Sequence, residues 1–123
     1  MHWTKQQFVP VMEQEPEALN CWAPEIIYDE VNSNYMIYWS TTILGRFAFG
    51  DNSGDEYNHR LYYVTTRDFK TYTTSKLFYD KRFNVIDATI QKDGNRYLLF
   101  LKDETLKPEA QKNIRFVISD CLT

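Results

Sequence analysis

The chain has 123 residues, of which 43% are hydrophobic and 25% charged, a composition typical of one globular domain. Its formal net charge of -3 at pH 7 argues against a phosphate-binding surface, so we do not expect a nucleic-acid partner. No stretch approaches the roughly 20 apolar residues of a membrane span, and residues 1–12 lack the basic and apolar regions of a signal peptide. We therefore expect no membrane partner, and the sequence leaves the compartment open.

Aromatic residues make up 16% of the chain and indicate β structure, because Tyr, Phe and Trp favour pleated, half-buried surfaces. In chain order, the runs that predict strands are EIIYD, YMIYWST, RLYYVTT, KLFYD, ATIQKD, RYLLFLKD and IRFVIS. Asp93-Gly94 is the clearest hairpin signal, because Gly accepts the positive φ of a primed turn. Only residues 107–112, with Pro108 near their start, suggest a helix. The predicted fold class is all-β.

An internal repeat relates the predicted strands to one another. Residues 35–38 resemble residues 97–100 at an offset of 62, and the strand before each is similar when Ile26-Ile27 is laid over Thr89-Ile90. Further similar pairs are residues 60–63 with 115–118 and residues 72–79 with 3–10. The repeating unit therefore contains four strands.

Units of four antiparallel strands are typical of β-propeller blades. We interpret the chain as a partial propeller of about two blades, with the last strand of a preceding blade at 7–12, a complete blade at 22–80 and three strands of a next blade at 85–120. Because propellers close with about four or more blades, we expect the chain to be part of a longer one. The alternative is a small sandwich or barrel.

Three segments resemble blade sequences of glycoside hydrolase family 43. WAPEIIYDEVNSNYMIYWS resembles the Trp-Ala-Pro-Glu/Asp motif and Tyr-rich strand that open a blade, and RLYYVTTRDFKTYTTSKLFY resembles the two strands that follow. VIDATIQKDGNRYLLFLKDE resembles a blade opening with an Ile-Asp-Pro/Ala motif. The resemblance implies a five-bladed propeller glycosidase that acts on polysaccharides containing arabinose and xylose.

The resemblance also implies an inverting mechanism with three acidic residues on different blades. A base activates water, a protonated acid donates to the leaving oxygen, and a third acid tunes the pKa of the second. Of these, only Asp87, in Ile86-Asp87-Ala88, matches, as the residue that modulates the pKa. The base and the acid would lie on blades outside this sequence. We therefore expect a truncated glycoside hydrolase domain that is inactive alone, with no cofactor.

Trp22 and Glu25 stand where the innermost strand of a blade begins. In a propeller, Trp22 would offer a flat face to a sugar ring and Glu25 would accept hydrogen bonds from sugar hydroxyls. The structural alternative is that Trp22 packs between blades and Glu25 caps the strand.

Four further residues are candidate sugar contacts with structural alternatives. His59 lies beside the start of a strand, where it could bond to a sugar but where a histidine is more often a surface residue. Arg46 and Arg115 would pair with carboxylates in the funnel, or form ion pairs between blades. Glu104 follows Asp103 at a strand end. Because neighbours on a strand point to opposite faces, the two carboxylates could not act together on one substrate, and we expect both in a solvated turn.

Metal binding is not predicted. Residues 51–55 resemble the start of a calcium loop, but the twelfth position, Tyr62, is not a bidentate glutamate. Cys21 and Cys121 lack the spacing of metal ligands or of a disulfide framework.

The expected partner is a carbohydrate, an oligo- or polysaccharide. A second class of function stays open: a carbohydrate-binding or self-assembling propeller module without catalysis. Open blade edges would favour a homodimer in that case, because an unpaired strand edge is a template for another chain.

Overall fold

The computed structural model describes residues 1–47 and 55–123. It confirms an all-β fold, built of two antiparallel sheets. Sheet 1 contains β1 (Trp22–Asp29), β2 (Asn34–Thr41), β3 (Arg60–Thr66) and β4 (Lys76–Tyr79), in that spatial order. Sheet 2 contains β5 (Val85–Asp93), β6 (Arg96–Asp103) and β7 (Asn113–Ser119). Among the described residues the helical structure is one short 3-10 segment, Asp55–Tyr57. Two sequential meanders of this kind are consistent with partial propeller blades.

The hairpin connections match their turn residues. Asp93 pairs with Arg96, so Gly94 and Asn95 form a two-residue turn, and Gly94 has φ +61 as the sequence predicts. The corresponding connection between β1 and β2 is longer, because Asp29 pairs with Asn34. There the Asp29 carboxylate accepts hydrogen bonds from the backbone of Val31 and Asn32, which closes the turn.

The two sheets pack face to face around the main hydrophobic core. We call face A the side that carries Ile37 and Trp39 in sheet 1 and Leu99 and Leu101 in sheet 2. Face B is the opposite side of each sheet. Face B of sheet 1 packs against face A of sheet 2, and the buried side chains there include Met36, Tyr38, Leu61, Val85, Tyr97, Leu99 and Leu101. The Tyr38 hydroxyl also accepts a hydrogen bond of 2.9 Å from the Ile90 amide, which ties β2 to β5.

A second core covers part of face A of sheet 1. Trp39, Ile43, Tyr62 and Val64 are buried there, with Val11, Met12 and Ala18 of the N-terminal segment packed against them. A single β-bridge between Ala18 and Ile43 and an ion pair between Arg46 and Glu15 attach this segment to the sheet. The segment therefore acts as a cover over the outer half of the face.

Two expected elements do not form in the structure. Residues 7–12, expected as a strand, are irregular up to Pro10 and then enter a turn. Pro10 lacks an amide donor, and the Val11 amide bonds to the nearby Val9 carbonyl rather than to a neighbouring strand. Residues 107–109 form bends and residues 110–112 are irregular, instead of the expected helix, since a segment of six residues is too short to stabilise one without packing.

The calcium-like segment 51–55 falls almost wholly outside the described residues, which resume at Asp55. Within the described part of the chain, no cluster of three or more candidate metal ligands occurs. In the same part, no helix has the length and apolar character needed to cross a membrane.

Candidate functional site

The first strand of each sheet begins with the same backbone irregularity. In β1 the pairing jumps from Trp22↔Ser40 to Glu25↔Tyr38, and in β5 it jumps from Ile86↔Lys102 to Thr89↔Phe100, so each strand carries one extra residue. At equivalent positions, Ala23 has φ +46 and Asp87 has φ +51. Left-handed backbone is uncommon outside glycine, and such residues cluster at functional sites. The bulge leaves the Asp87 side chain exposed at the strand start.

Trp22 lies on an aromatic cluster at the opening of sheet 1. Its ring stacks on the His59 ring with centroids 4.5 Å apart, and the edge of Tyr57 meets both rings. Trp22 remains 44% exposed. One face of the indole is therefore held by the protein while part of it stays open to solvent.

His59 is buried, which contradicts its interpretation as a surface histidine. Nδ1 lies 2.9 Å from Asn84 Oδ1, and Nε2 lies 3.3 Å from Asn20 Nδ2. Nδ1–H therefore donates to Asn84, and Nε2 accepts from Asn20. Burial lowers the pKa of His59, against the opposing effects of its bond with Asn84 and the charge of Glu104. His59 is thus a neutral, oriented support beneath Trp22.

Glu104 joins this cluster instead of lying in a solvated turn. Its carboxylate accepts a hydrogen bond of 2.7 Å from the Tyr57 hydroxyl and forms an ion pair with Lys102. The bond from Lys102 lowers the pKa of Glu104, the bond from Tyr57 acts in the same direction, and burial opposes both. Glu104 is therefore ionised at neutral pH. Asp103 is also no part of a solvated turn, because it is buried.

Lys102 connects Glu104 with Asp87. It pairs with Ile86 across the β5–β6 ladder, directly before the bulge. The pKa of Lys102 is raised, first by its bond with Glu104 and further by the charges of Glu104 and Asp87. Opposite charges thus alternate from Asp87 through Lys102 to Glu104, and Tyr57 links Glu104 to the edge of Trp22.

The other three candidates make their recorded contacts with residues outside the aromatic cluster. Arg46 forms a bidentate ion pair with Glu15, at 2.7 and 2.6 Å, which holds the N-terminal segment. Arg115 pairs with Asp103 at 2.5 Å and stacks over the Phe83 ring. Glu25 is exposed on β1 just after the bulge, where its charge helps to raise the pKa of Tyr38, after burial as the main cause.

Sequence reasoning missed three residues of the cluster: Tyr57, Asn84 and Lys102. Asn84 is buried and also donates from Nδ2 to the Glu104 carbonyl at 3.2 Å, so it links His59 to the end of β6. The only indication of Asn84 in the sequence is its position just before the Val85-Ile86-Asp87 motif. The contacts themselves join residues that are 20 to 47 positions apart, as in Asn84 with Glu104 and Tyr57 with Glu104.

Comparison with known proteins decides the family. Residues 1–122 match the family described as a probable glycosyl hydrolase domain. The chain belongs to this family. An α-L-arabinofuranosidase of Bifidobacterium longum subsp. longum is 29% identical to the glycosyl hydrolase domain over 94 residues, which cover 72% of this chain and 9% of that protein. No solved structure matches the domain.

The family match confirms the resemblance that the sequence motifs carry. The glycosyl hydrolase domain spans about a tenth of the length of this curated relative, since the match covers 9% of it.

Proposed function

We propose that this glycosyl hydrolase domain supplies the sugar-binding wall and one acidic residue, Asp87, to a site that hydrolyses O-glycosidic bonds in polysaccharides containing arabinose or xylose. The observation that carries the proposal is the half-exposed ring of Trp22, which stacks on His59 and meets the edge of Tyr57, the residue that donates to Glu104. The family membership of residues 1–122 supports the reaction class.

Trp22 would hold the sugar by its apolar face. A sugar ring presents C–H groups on its flat faces and hydroxyls around its rim, so an indole can cover the face while polar groups bind the rim. His59 fixes the indole plane from behind, with the rings 27° apart. The carboxylates of Glu25 and Glu104 would accept hydrogen bonds from sugar hydroxyls, and Lys102 would donate one.

Asp87 would act by its charge rather than by proton transfer. The carboxylate is exposed, and the bulge fixes its backbone at φ +51. A fixed negative charge raises the pKa of a nearby carboxylic acid and so favours the protonated form that a general acid needs. We propose this modulating role for Asp87, toward an acid supplied from outside these 123 residues.

The described carboxylates of the cluster do not offer that acid. An inverting glycosidase needs one carboxyl group that stays protonated near neutral pH. Glu104 is held ionised by Lys102 and Tyr57, the opposite of this requirement. The 123-residue chain should therefore bind saccharides without cleaving them.

Sugar binding can be measured by isothermal titration of the chain with arabino- and xylo-oligosaccharides. Trp22→Ala should weaken binding at least about fivefold, because stacking on an aromatic residue supplies about 1 kcal/mol or more. Trp3→Ala is the matched control, since Trp3 is 88% exposed and has no part in the cluster. Equal affinities for Trp22→Ala and the unaltered chain would exclude the proposed wall.

Hydrolysis is tested separately with aryl arabinofuranosides and aryl xylosides. No turnover is expected with the chain alone. Turnover that disappears in Asp87→Asn would contradict the proposed inactivity and give Asp87 a direct catalytic role.

A non-catalytic carbohydrate-binding module is the second candidate, and the ionised state of Glu104 favours it. The two candidates differ in what Asp87 does. Binding that persists in Asp87→Asn and disappears in Trp22→Ala would support the binding module.

We also propose that copies of the chain pair through open sheet edges, as the sequence suggests. β1 and β4 are the edge strands of sheet 1, and β5 and β7 are those of sheet 2. An edge strand carries unpaired amides and carbonyls that another chain can meet. Pairing at β7 would complete sheet 2 to four strands, the number that sheet 1 already has.

A further inference from the structure

Asn20 lies two residues before Trp22 and contacts the ring nitrogen of His59 that Asn84 does not contact. Asn20 Nδ2 is 3.3 Å from His59 Nε2, whereas Asn84 Oδ1 is 2.9 Å from His59 Nδ1. His59 and Asn84 are buried, and Asn20 is half-buried. Two side-chain amides therefore hold the imidazole that supports Trp22, one at each nitrogen.

The end of β2 fixes which way the Asn20 amide points. The buried Thr42 amide donates to Asn20 Oδ1 at 3.2 Å, so Oδ1 faces Thr42 and Nδ2 faces His59. A reversed side chain would place its NH₂ group against the Thr42 amide, which leaves two donors in contact and a buried one unsatisfied. The Thr41 hydroxyl also donates to the Asn20 carbonyl and holds the backbone of Asn20 in place.

The Asn84 amide is fixed in the same way. Its Oδ1 accepts from the His59 backbone amide at 2.8 Å, and its Nδ2 donates to the Glu104 carbonyl at 3.2 Å. His59 Nδ1 therefore faces an acceptor, while His59 Nε2 faces a donor on Asn20. Only the neutral ring with its proton on Nδ1 satisfies both amides, because a proton on Nε2 would point at the NH₂ group of Asn20.

The charged and titratable groups around the ring come from three further segments. Arg60 follows His59 at the start of β3, Glu104 lies just after β6, and Tyr57 belongs to the 3-10 segment and donates to Glu104. Burial is the main cause of the lowered pKa of His59; the charge of Arg60 lowers it further, and the charge of Glu104 opposes both. Cys21, next to Asn20, has its pKa raised by burial, so its thiol stays neutral.

Trp22 depends on the position of this ring. The two ring planes are 27° apart with centroids 4.5 Å from one another, and the edge of Tyr57 meets both rings. Trp22 is 44% exposed, so the stack on His59 supports the indole from the protein side. A displacement of the imidazole would remove this support and leave the indole plane free to tilt.

We infer that Asn20 is a positioning residue of the saccharide site. It holds His59 in the neutral Nδ1–H tautomer and thereby fixes the plane of Trp22, so that saccharide is bound while His59 is neutral and released when His59 is protonated. The inference rests on the proposed function, in which Trp22 stacks on the sugar.

The unaltered chain provides the first test. Long-range proton–nitrogen correlation spectra distinguish the two tautomers, and His2→Gln assigns the signals because the chain has two histidines. We expect the Nδ1–H tautomer at neutral pH. The affinity for arabino- and xylo-oligosaccharides, titrated between about pH 5 and 8, should be constant above about pH 6.5, the ordinary histidine value. Below the lowered pKa of His59 it should fall about tenfold per pH unit, because each binding event then releases one proton.

Asn20→Asp provides the second test, because aspartate has the shape of asparagine with an oxygen in place of Nδ2. The carboxylate still accepts from the Thr42 amide, and its second oxygen accepts from a protonated His59 Nε2. The pKa of His59 should therefore rise relative to the unaltered chain. The pH dependence of binding should reverse, with the affinity lost as the pH increases. Asn95→Asp is the matched control, because it adds the same charge at an exposed turn and should leave the pH profile unchanged.

Three results would overturn the inference. One is the Nε2–H tautomer at neutral pH, and another is an equal pKa of His59 in Asn20→Asp and the unaltered chain. The third is a raised pKa in Asn20→Asp with the same pH dependence of binding as the unaltered chain. Circular dichroism checks that Asn20→Asp is folded; if it is not, the tautomer and the pH profile of the unaltered chain decide.

Failure of the proposed function is distinguishable from failure of this inference. A chain that binds no saccharide at any pH would refute the proposed function. The hold of Asn20 on Trp22 is then decided by the ring resonances of Trp22, which should shift with the titration of His59 and follow its changed pKa in Asn20→Asp. Trp22 resonances that do not respond to this titration would overturn the inference.

Discussion

Asn84→Ala tests the hydrogen-bond network that holds His59 beneath Trp22. Asn84 Oδ1 accepts from the His59 amide at 2.8 Å and from His59 Nδ1 at 2.9 Å, and Asn84 Nδ2 donates to the Glu104 carbonyl at 3.2 Å. Replacing Asn84 with alanine removes all three hydrogen bonds at once. Asn84 and His59 are both 0% exposed, so bulk water does not reach the groups left behind.

The expected loss follows from these three bonds. Each buried group left without a partner costs about 1–3 kcal/mol. The two His59 donors dominate, and some relaxation around the smaller side chain is expected, so the free energy of unfolding should fall by about 3–5 kcal/mol. That is a large share of the roughly 5–15 kcal/mol by which small domains are stable.

Urea unfolding followed by tryptophan fluorescence measures this loss, with the m-value used to check two-state behaviour. Asn95→Ala is the matched control, because Asn95 is exposed in the β5–β6 turn, and it should change the free energy of unfolding by less than about 0.5 kcal/mol. A loss below about 1 kcal/mol for Asn84→Ala would refute the reasoning, since the His59 donors would then have other partners.

Two further predictions concern charged groups. Hydrogen bonds from the backbone of Thr71 and Lys70 lower the pKa of Asp68 from 3.8 to about 2. The contribution of Asp68 to stability is complete at pH values above its pKa in the unfolded chain, 3.8, and is lost as the pH falls toward 2. The melting temperature of Asp68→Asn should therefore depend less on pH between these two values than that of the unaltered chain. Arg115→Met should cost about 3–5 kcal/mol, because it removes the counter-ion of the buried Asp103 carboxylate, which keeps the bond from the Thr105 amide. Arg46→Met, at a more exposed ion pair, should cost less than about 1 kcal/mol in the same urea titration.

The strands were predictable because their apolar pattern is local. Alternation in YMIYWST places Met36 and Tyr38 on one face and Ile37 and Trp39 on the other, as the structure shows. The Asp93-Gly94 turn was predictable for the same reason, since its conformation depends on one glycine.

The register of the repeat was not predictable at single-residue accuracy. Laying Ile26-Ile27 over Thr89-Ile90 is one residue off, because the ladders align Ile26 with Ile90. Connections of four and two residues in the two hairpins account for the difference between the offsets of β1 and β2. A slip of one residue exchanges the two faces of a strand, so only the observed pairing identifies the equivalent positions.

The site was predictable in part. Trp22 and Glu104 both contact Tyr57, but the burial of His59 and the role of Asn84 depend on contacts between distant segments. The sequence around Arg46 and Arg115 does not show whether each arginine forms an ion pair within the fold or at a binding site. Side-chain type alone does not determine burial.

The matching bulges of β1 and β5 have a consequence for how chemistry can be distributed over this fold. Ala23 and Asp87 occupy one and the same backbone position in successive sheets, both with left-handed φ. Asp is tolerated in that conformation better than Ala, so Ala23→Asp should fold at least as well as the present chain. Sheet 1 thus contains a second backbone position suited to an acidic residue, and one substitution would place a carboxylate there in addition to Asp87.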